Sequence, residues 1–238
     1  MKLSKRLETV ASMVTKGNRA ADVGCDHGFV PIFLVESGIS PLAVAADVRP
    51  GPLSRAKEHI KEHRLEEKIQ TRLSDGLANI KPGEADSLIM SGIGGILMMR
   101  LLQDEEHTAK SFKELILSPQ SELFDVRRYL VSNGYLIEYE HMLCDEGKYY
   151  FIFHVLVKKD EREWLEEEYR YGKDICKDDI KTFLAYLEKE ERQYEQILEK
   201  MKQAPENDRA AQRIAQLHQD ITCLKKRRQL VYDCGCFA

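Results

Sequence analysis

The chain has 238 residues, of which 43% are hydrophobic and 32% charged, with a formal net charge of −4. That length supports one sizeable core with a smaller appendage, and a charged share above the usual quarter or so points to a long solvated helical part. A net negative balance excludes a global basic field for nucleic acid, and no run of about 18 apolar residues offers a membrane span.

The opening Met1-Lys2-Leu3-Ser4-Lys5-Arg6 has no apolar core of signal-peptide length, so a cytoplasmic protein is expected. Leu3, Leu7, Val10 and Val14 share one helical face, which predicts a short amphipathic helix ending near Gly17. The first strand is expected over Ala20–Gly24, with a helix after Pro31. A second strand, Ala43–Asp47, leads into a helix entered through Pro50-Gly51-Pro52. A third, Ile69–Leu73, ends in Ser74-Asp75-Gly76. A fourth, Ser87–Met90, runs into Ser91-Gly92-Ile93-Gly94-Gly95 and another helix. A fifth, Glu114–Leu117, stops at Ser118-Pro119-Gln120 before a helix through Leu130. Tyr135–Leu143 and Tyr149–Val157 flank Asp145-Glu146-Gly147-Lys148, which reads as a hairpin. Five βα units closed by an antiparallel pair make an α/β fold whose ligands gather at the carboxyl ends of the strands. This element order resembles that of class I methyltransferases, which implies a Rossmann-like fold.

Beyond Lys158 the pattern changes. Ile180, Leu184, Leu187, Tyr194, Leu198 and Met201 keep heptad-like spacing, broken at Glu191; Ala210, Ile214, Leu217, Ile221, Leu224 and Val231 do the same, broken at Arg228. With Ala204-Pro205-Glu206-Asn207 between them, the two series predict an antiparallel helical hairpin of coiled-coil type. The expected domains are therefore residues 1–158 and 159–238.

The turn Asp22-Val23-Gly24-Cys25-Asp26-His27-Gly28 is the most telling segment. A dinucleotide fingerprint would carry glycine where Asp26 stands. A carboxylate there repels a pyrophosphate and suits a sulfonium or an amino-acid ammonium, so S-adenosylmethionine is favoured over NAD. Asp22 and Asp26 flank the first turn and can take the methionine ammonium. Asp47 can accept from ribose hydroxyls, and Asp75 with Gly76 can receive the adenine amino group. Gly24, His27, Gly28, Ser91 and Gly92 complete the expected cofactor cradle, where a glycine-rich turn serves either helix packing or a flat opening for a planar base. His27 reads more simply as a hydrogen-bonded structural group than as a base. The other histidines have no metal spacing. The six cysteines, Cys25, Cys144, Cys176, Cys223, Cys234 and Cys236, form no paired Cys-x-x-Cys knuckles, so no metal is expected.

The segments Asp22–Gly28, Ser91–Gly95 and Ser118-Pro119-Gln120 resemble the bacterial tRNA (adenine(22)-N1)-methyltransferases, the TrmK family. Leu3-Ser4-Lys5-Arg6-Leu7 and the helical hairpin extend the resemblance over nearly the whole chain. Where the family's turn often reads Ala-Gly-Met-Gly-Gly, this chain has Ser91 and Ile93. The resemblance implies methyl transfer from S-adenosylmethionine to adenine N1 of tRNA. Asp26 is then the candidate catalytic acceptor near N6, and Lys5, Arg6, Lys225, Lys226, Arg227 and Arg228 are the candidate phosphate contacts, on a monomer. Two alternatives stay open: a small-molecule or protein methyltransferase whose hairpin serves oligomerisation, and a non-catalytic cofactor- or RNA-binding module.

Overall fold

The computed structural model describes residues 3–175, 179–202 and 208–233. Cys176, Cys234, Cys236 and the turn at 204–207 lie outside the described residues.

The chain runs α1 (Lys5–Ser12), β1 (Ala20–Val23), α2 (Phe29–Glu36), β2 (Ala43–Asp47), α3 (Pro50–Glu62), β3 (Ile69–Leu73) and β4 (Ser87–Ser91). It continues with α4 (Gly95–Asp104), α5 (Glu106–Ala109), β5 (Glu114–Ser118), α6 (Leu123–Ser132), β6 (Leu136–Asp145) and β7 (Lys148–Leu156). Three helices follow: α7 (Glu166–Tyr171), α8 (Ile180–Lys202) and α9 (Asp208–Asp233). The strands form one seven-stranded sheet in the order β3-β2-β1-β4-β5-β7-β6. β1 to β5 are parallel, and β7 runs antiparallel between β5 and β6. The chain winds outward from β1 to β3 and then restarts at β4 on the other side, so β1 and β4 border the switch point where such sheets open a crevice.

Apolar side chains on both faces of the central strands explain why helices cover both sides. Leu88, Met90, Leu115 and Leu117 enter one core, while Ile89 and Ile116, one residue out of phase, enter the other. The second core takes Val10 and Ala11 of α1, Ile32 and Leu34 of α2, and Ala56 and Ile60 of α3. The first core takes Met98 and Leu102 of α4, Val126 and Leu130 of α6, and also Tyr171, Phe183, Leu187 and Leu224 from the C-terminal helices. The base of α8 and α9 is thus built into the same apolar core as one face of the sheet.

Two buried arginines lock that junction. Arg127 of α6, fully buried, donates to Glu140 of β6 at 2.7 Å and to the carbonyls of Tyr169 and Arg170 at 3.1 and 3.0 Å. Arg227 of α9, 7% exposed, donates to the carbonyls of Gly172 and Lys173 at 2.7 and 2.8 Å. This corrects the expectation of a four-residue basic face: Arg227 points inward, where its charge is spent on backbone oxygens. The two heptad breaks also find their reason. Glu191 of α8 accepts from Arg228 at 2.5 Å and pairs with Lys225 at 3.4 Å, so the polar interruptions meet across the hairpin. Lys226 remains exposed.

Candidate active site

At the carboxyl ends of β1, β2 and β4, and beside the turn after β3, the sheet opens into a cavity of about 560 Å³. That is within the roughly 300–1,000 Å³ of small-molecule sites.

The β1–α2 turn forms its floor. Gly24, Asp26 and Gly28 have φ of +81°, +48° and +72°, so three of five residues are left-handed. The Gly24 and Cys25 amides both donate to the Ala46 carbonyl, at 2.9 and 3.0 Å, which pins the turn to β2. The two glycines do different work. Gly24 is exposed to the cavity, and a Cβ there would meet only Ile93 Cγ2, at 3.8 Å. Gly28 is buried outside the cavity lining, and a Cβ there would sit 3.0 Å from the Ala56 Cβ. Gly28 therefore seats α2 against α3 and drops out of the expected ligand cradle.

Four acidic residues line the cavity: Asp22, Asp26, Asp47 and Asp75. Asp22 is buried, and desolvation, with repulsion from Asp47, pushes its carboxyl up to about 7, against the pull of Arg6. Asp47, also buried, accepts from the Arg49 amide at 2.8 Å and the Asp26 amide at 3.3 Å. Two of its four lone-pair sites are thereby engaged, and the others are left for a ligand. Burial, with Asp22 and Asp47 close by, pushes the Cys25 thiol far up, so it is held as an inert thiol. Asp75 is presented by a turn in which the Ser74 hydroxyl donates to the Gly76 carbonyl at 2.9 Å. Gly76, at φ +56°, allows the close approach of α4: a Cβ there would lie 2.4 Å from Leu101 Cδ2.

The Asp26 carboxylate is half exposed, 3.5 Å from His27 Nε2 and 3.6 Å from Arg55 of α3. His27 stacks on Phe29 and His59, with centroids 5.2 and 5.7 Å away, and its carbonyl lies 3.0 Å from His59 Nδ1. The structural reading of His27 fits these contacts, although its side chain also borders the cavity.

The opposite wall is the glycine-rich turn after β4. The Gly92 amide donates to the Ser118 carbonyl at 3.2 Å, and the Gln120 amide to the Ile93 carbonyl at 2.9 Å, so the turns after β4 and β5 are laced together. Gly95 is required by packing, since a Cβ there would come within 2.5 Å of the Ser121 carbonyl. Arg6 reaches this wall from α1: it donates to the Ser91 hydroxyl, and its guanidinium lies 5.5 Å from the Tyr150 ring centre. A Cβ on Gly92 would lie 3.7 Å from both of its terminal nitrogens. Arg6 is thus a wall of the cavity, while Lys5 sits exposed outside it.

Gln120, Ile93, Leu97 and Val48 also line the cavity, beyond the residues expected there. The available signal was position: each stands within a few residues of a strand's carboxyl end.

A family model described as a methyltransferase domain matches residues 3–153. The chain is 29% identical over 232 residues to the tRNA (adenine(22)-N(1))-methyltransferase of Bacillus subtilis, covering 95% of this chain and 97% of that one. Streptococcus pneumoniae Sp1610 in complex with S-adenosyl-L-methionine superposes with a TM-score of 0.83 at 31% identity, covering 94% of this chain and 99% of that one. Mycoplasma capricolum TrmK in complex with S-adenosyl-homocysteine gives 0.84 at 25% identity, covering 97% and 100%.

Proposed function

The chain belongs to the methyltransferase-domain proteins and, among them, to the tRNA (adenine(22)-N1)-methyltransferase (TrmK) family, and from that membership we propose that it methylates N1 of adenine 22 in tRNA with S-adenosyl-L-methionine as donor. The observation that carries this reading is the cavity at the switch point, with buried acids on one side and a glycine-rich wall on the other.

The residues present fit the donor. Gly24 leaves its place beside the turn open, Asp47 has acceptor capacity for the two ribose hydroxyls, and Asp75 borders the cavity where an adenine amino group can be received. Asp22 and Arg6 face the same cavity with opposite charge, a complement for the ammonium and carboxylate of an amino-acid head. Arg6 thereby passes from the expected phosphate contacts to the donor side. When bound, S-adenosylmethionine supplies a methyl group on a positively charged sulfur.

Adenine N1 carries a free lone pair, so no proton need be removed before attack. The chain's work is placement and electrostatics. The wall of Ser91, Gly92 and Gln120 holds the base edge near the donor end, and the Gln120 amide offers both a donor and an acceptor to it. Asp26, half exposed at the cavity beside His27 and Arg55, is the acceptor proposed near N6 of the base; it removes no proton before attack. Lys226, exposed on α9, and Lys225, exposed beside Glu191, are the two members of the expected basic cluster that remain open to a phosphate backbone.

Incubation with labelled S-adenosylmethionine and unmodified tRNA, followed by digestion to nucleosides, tests the reading. It predicts label in 1-methyladenosine; label in another nucleoside, or in none while the donor binds, overturns it.

A further inference from the structure

Among the described residues, large apolar side chains left exposed are few, and four of eight stand at the carboxyl end of the sheet: Val48, Leu73, Ile96 and Leu97. Val48 and Leu97 line the cavity. Ile96 is the most exposed of all, at 68%, on the first turn of α4 directly after the glycine-rich turn. No packing need in the fold accounts for an isoleucine there.

One helical turn further on, Arg100 stands on the same face as Ile96. Its guanidinium lies 3.8 Å from Asp75, a cavity residue, and 3.8 Å from Asp104, with all three side chains more than half exposed. Those distances place the Ile96–Arg100 ridge along the cavity rim. Pairs so long and so exposed hold little energy and are readily exchanged for another anion.

On the reading that the acceptor is an adenine within structured tRNA, its N1 lies on the Watson–Crick edge and the base must leave its stack before reaction. The vacated gap then needs filling, for which aliphatic wedges are a common device. We propose that Ile96 is that wedge: it enters the stack that the target adenine leaves, while Arg100 exchanges its carboxylates for a flanking phosphate. Ile96 thus acts on substrate geometry, as a positioning residue, and makes no contact with the donor.

The test replaces the target adenine by 2-aminopurine, whose fluorescence rises on unstacking, and mixes that tRNA with enzyme and S-adenosylhomocysteine. Wild-type protein brightens the probe on binding. Ile96→Ala still binds the donor product with unchanged affinity but loses most of the brightening, with catalytic efficiency on tRNA down by about tenfold, the weight of one to two buried methyl groups. Ile96→Met, which keeps an aliphatic side chain of similar length, restores both. Full brightening with Ile96→Ala, or no brightening in wild type bound to tRNA, overturns the wedge. Failure of wild type to bind or methylate any tRNA instead overturns the function on which the wedge rests.

Discussion

A titration of Asp22 reads the donor site most closely. Its carboxyl, ordinarily near 3.8, is pushed up to about 7 by desolvation first and by Asp47 second. In the ligand-free protein it is therefore mostly protonated below neutrality. An ammonium at this position favours the ionised carboxylate, so below pH 7 binding must expel a proton, and each pH unit weakens affinity by about tenfold. From pH 7 down to about pH 5.5 the dissociation constant of S-adenosylmethionine rises roughly fifteenfold. Calorimetry in buffers of differing ionisation enthalpy measures both the affinity and the proton released. Asp22→Asn binds more weakly at pH 7 and shows no slope. Stability carries the opposite sign to a paired acid: with the native pKa raised, the folded state holds the extra proton. Wild-type stability therefore falls as pH rises from about 4 to 7, by on the order of 4 kcal/mol, and Asp22→Asn lacks that fall. A flat wild-type affinity over this range, or a slope retained by Asp22→Asn, would show that Asp22 does not carry the proton linked to donor binding.

Three other perturbations separate packing from function. Gly28→Ala, at φ +72° with a Cβ 3.0 Å from Ala56, lowers stability by about 1–3 kcal/mol through left-handed strain and crowding; a thermal melt unchanged from wild type would contradict the packing role. Burial raises the Glu114 carboxyl, but bonds from His154, Ser87 and Thr15 outweigh it and hold it at about 2. Its stabilisation is present above the usual carboxylate range and lost as pH falls from about 4.5 toward 2, worth about 2–3 kcal/mol, so Glu114→Gln flattens the acid limb of urea-unfolding curves. Arg227→Ala costs about 3 kcal/mol by orphaning the Gly172 and Lys173 carbonyls. Lys226→Ala leaves stability within about 0.5 kcal/mol and reduces the salt slope of tRNA binding by about one; the reverse pattern would put Arg227 back on the RNA face.

The sequence was most readable where local chemistry decides. The ends of β2 and β3 fall at the expected Asp47 and Leu73, and the hairpin turns at Asp145–Lys148, because acids, glycines and prolines stand at or just beyond each of these ends. The cavity was legible as a place for the same reason, since Asp22, Asp47, Asp75 and Ser91 each mark a strand end. Partners contributed from far along the chain were not legible. Arg227 reads as one of four surface cations, yet the Gly172 and Lys173 carbonyls, 55 and 54 residues away, turn it inward. Arg127, paired with Glu140 inside the junction, carries no local sign of burial. Gly24 and Gly28 look equivalent within one turn, and only the distance to Ala56 divides ligand approach from helix packing.

Position mapping on the RNA reads the target atom and its place in one experiment. A methyl group on adenine N1 blocks Watson–Crick pairing, so reverse transcription of treated tRNA halts there. One enzyme- and donor-dependent stop is expected, at adenine 22, absent when that residue is replaced by guanine. A stop at another adenine, or label transferred with no stop at all, would contradict it.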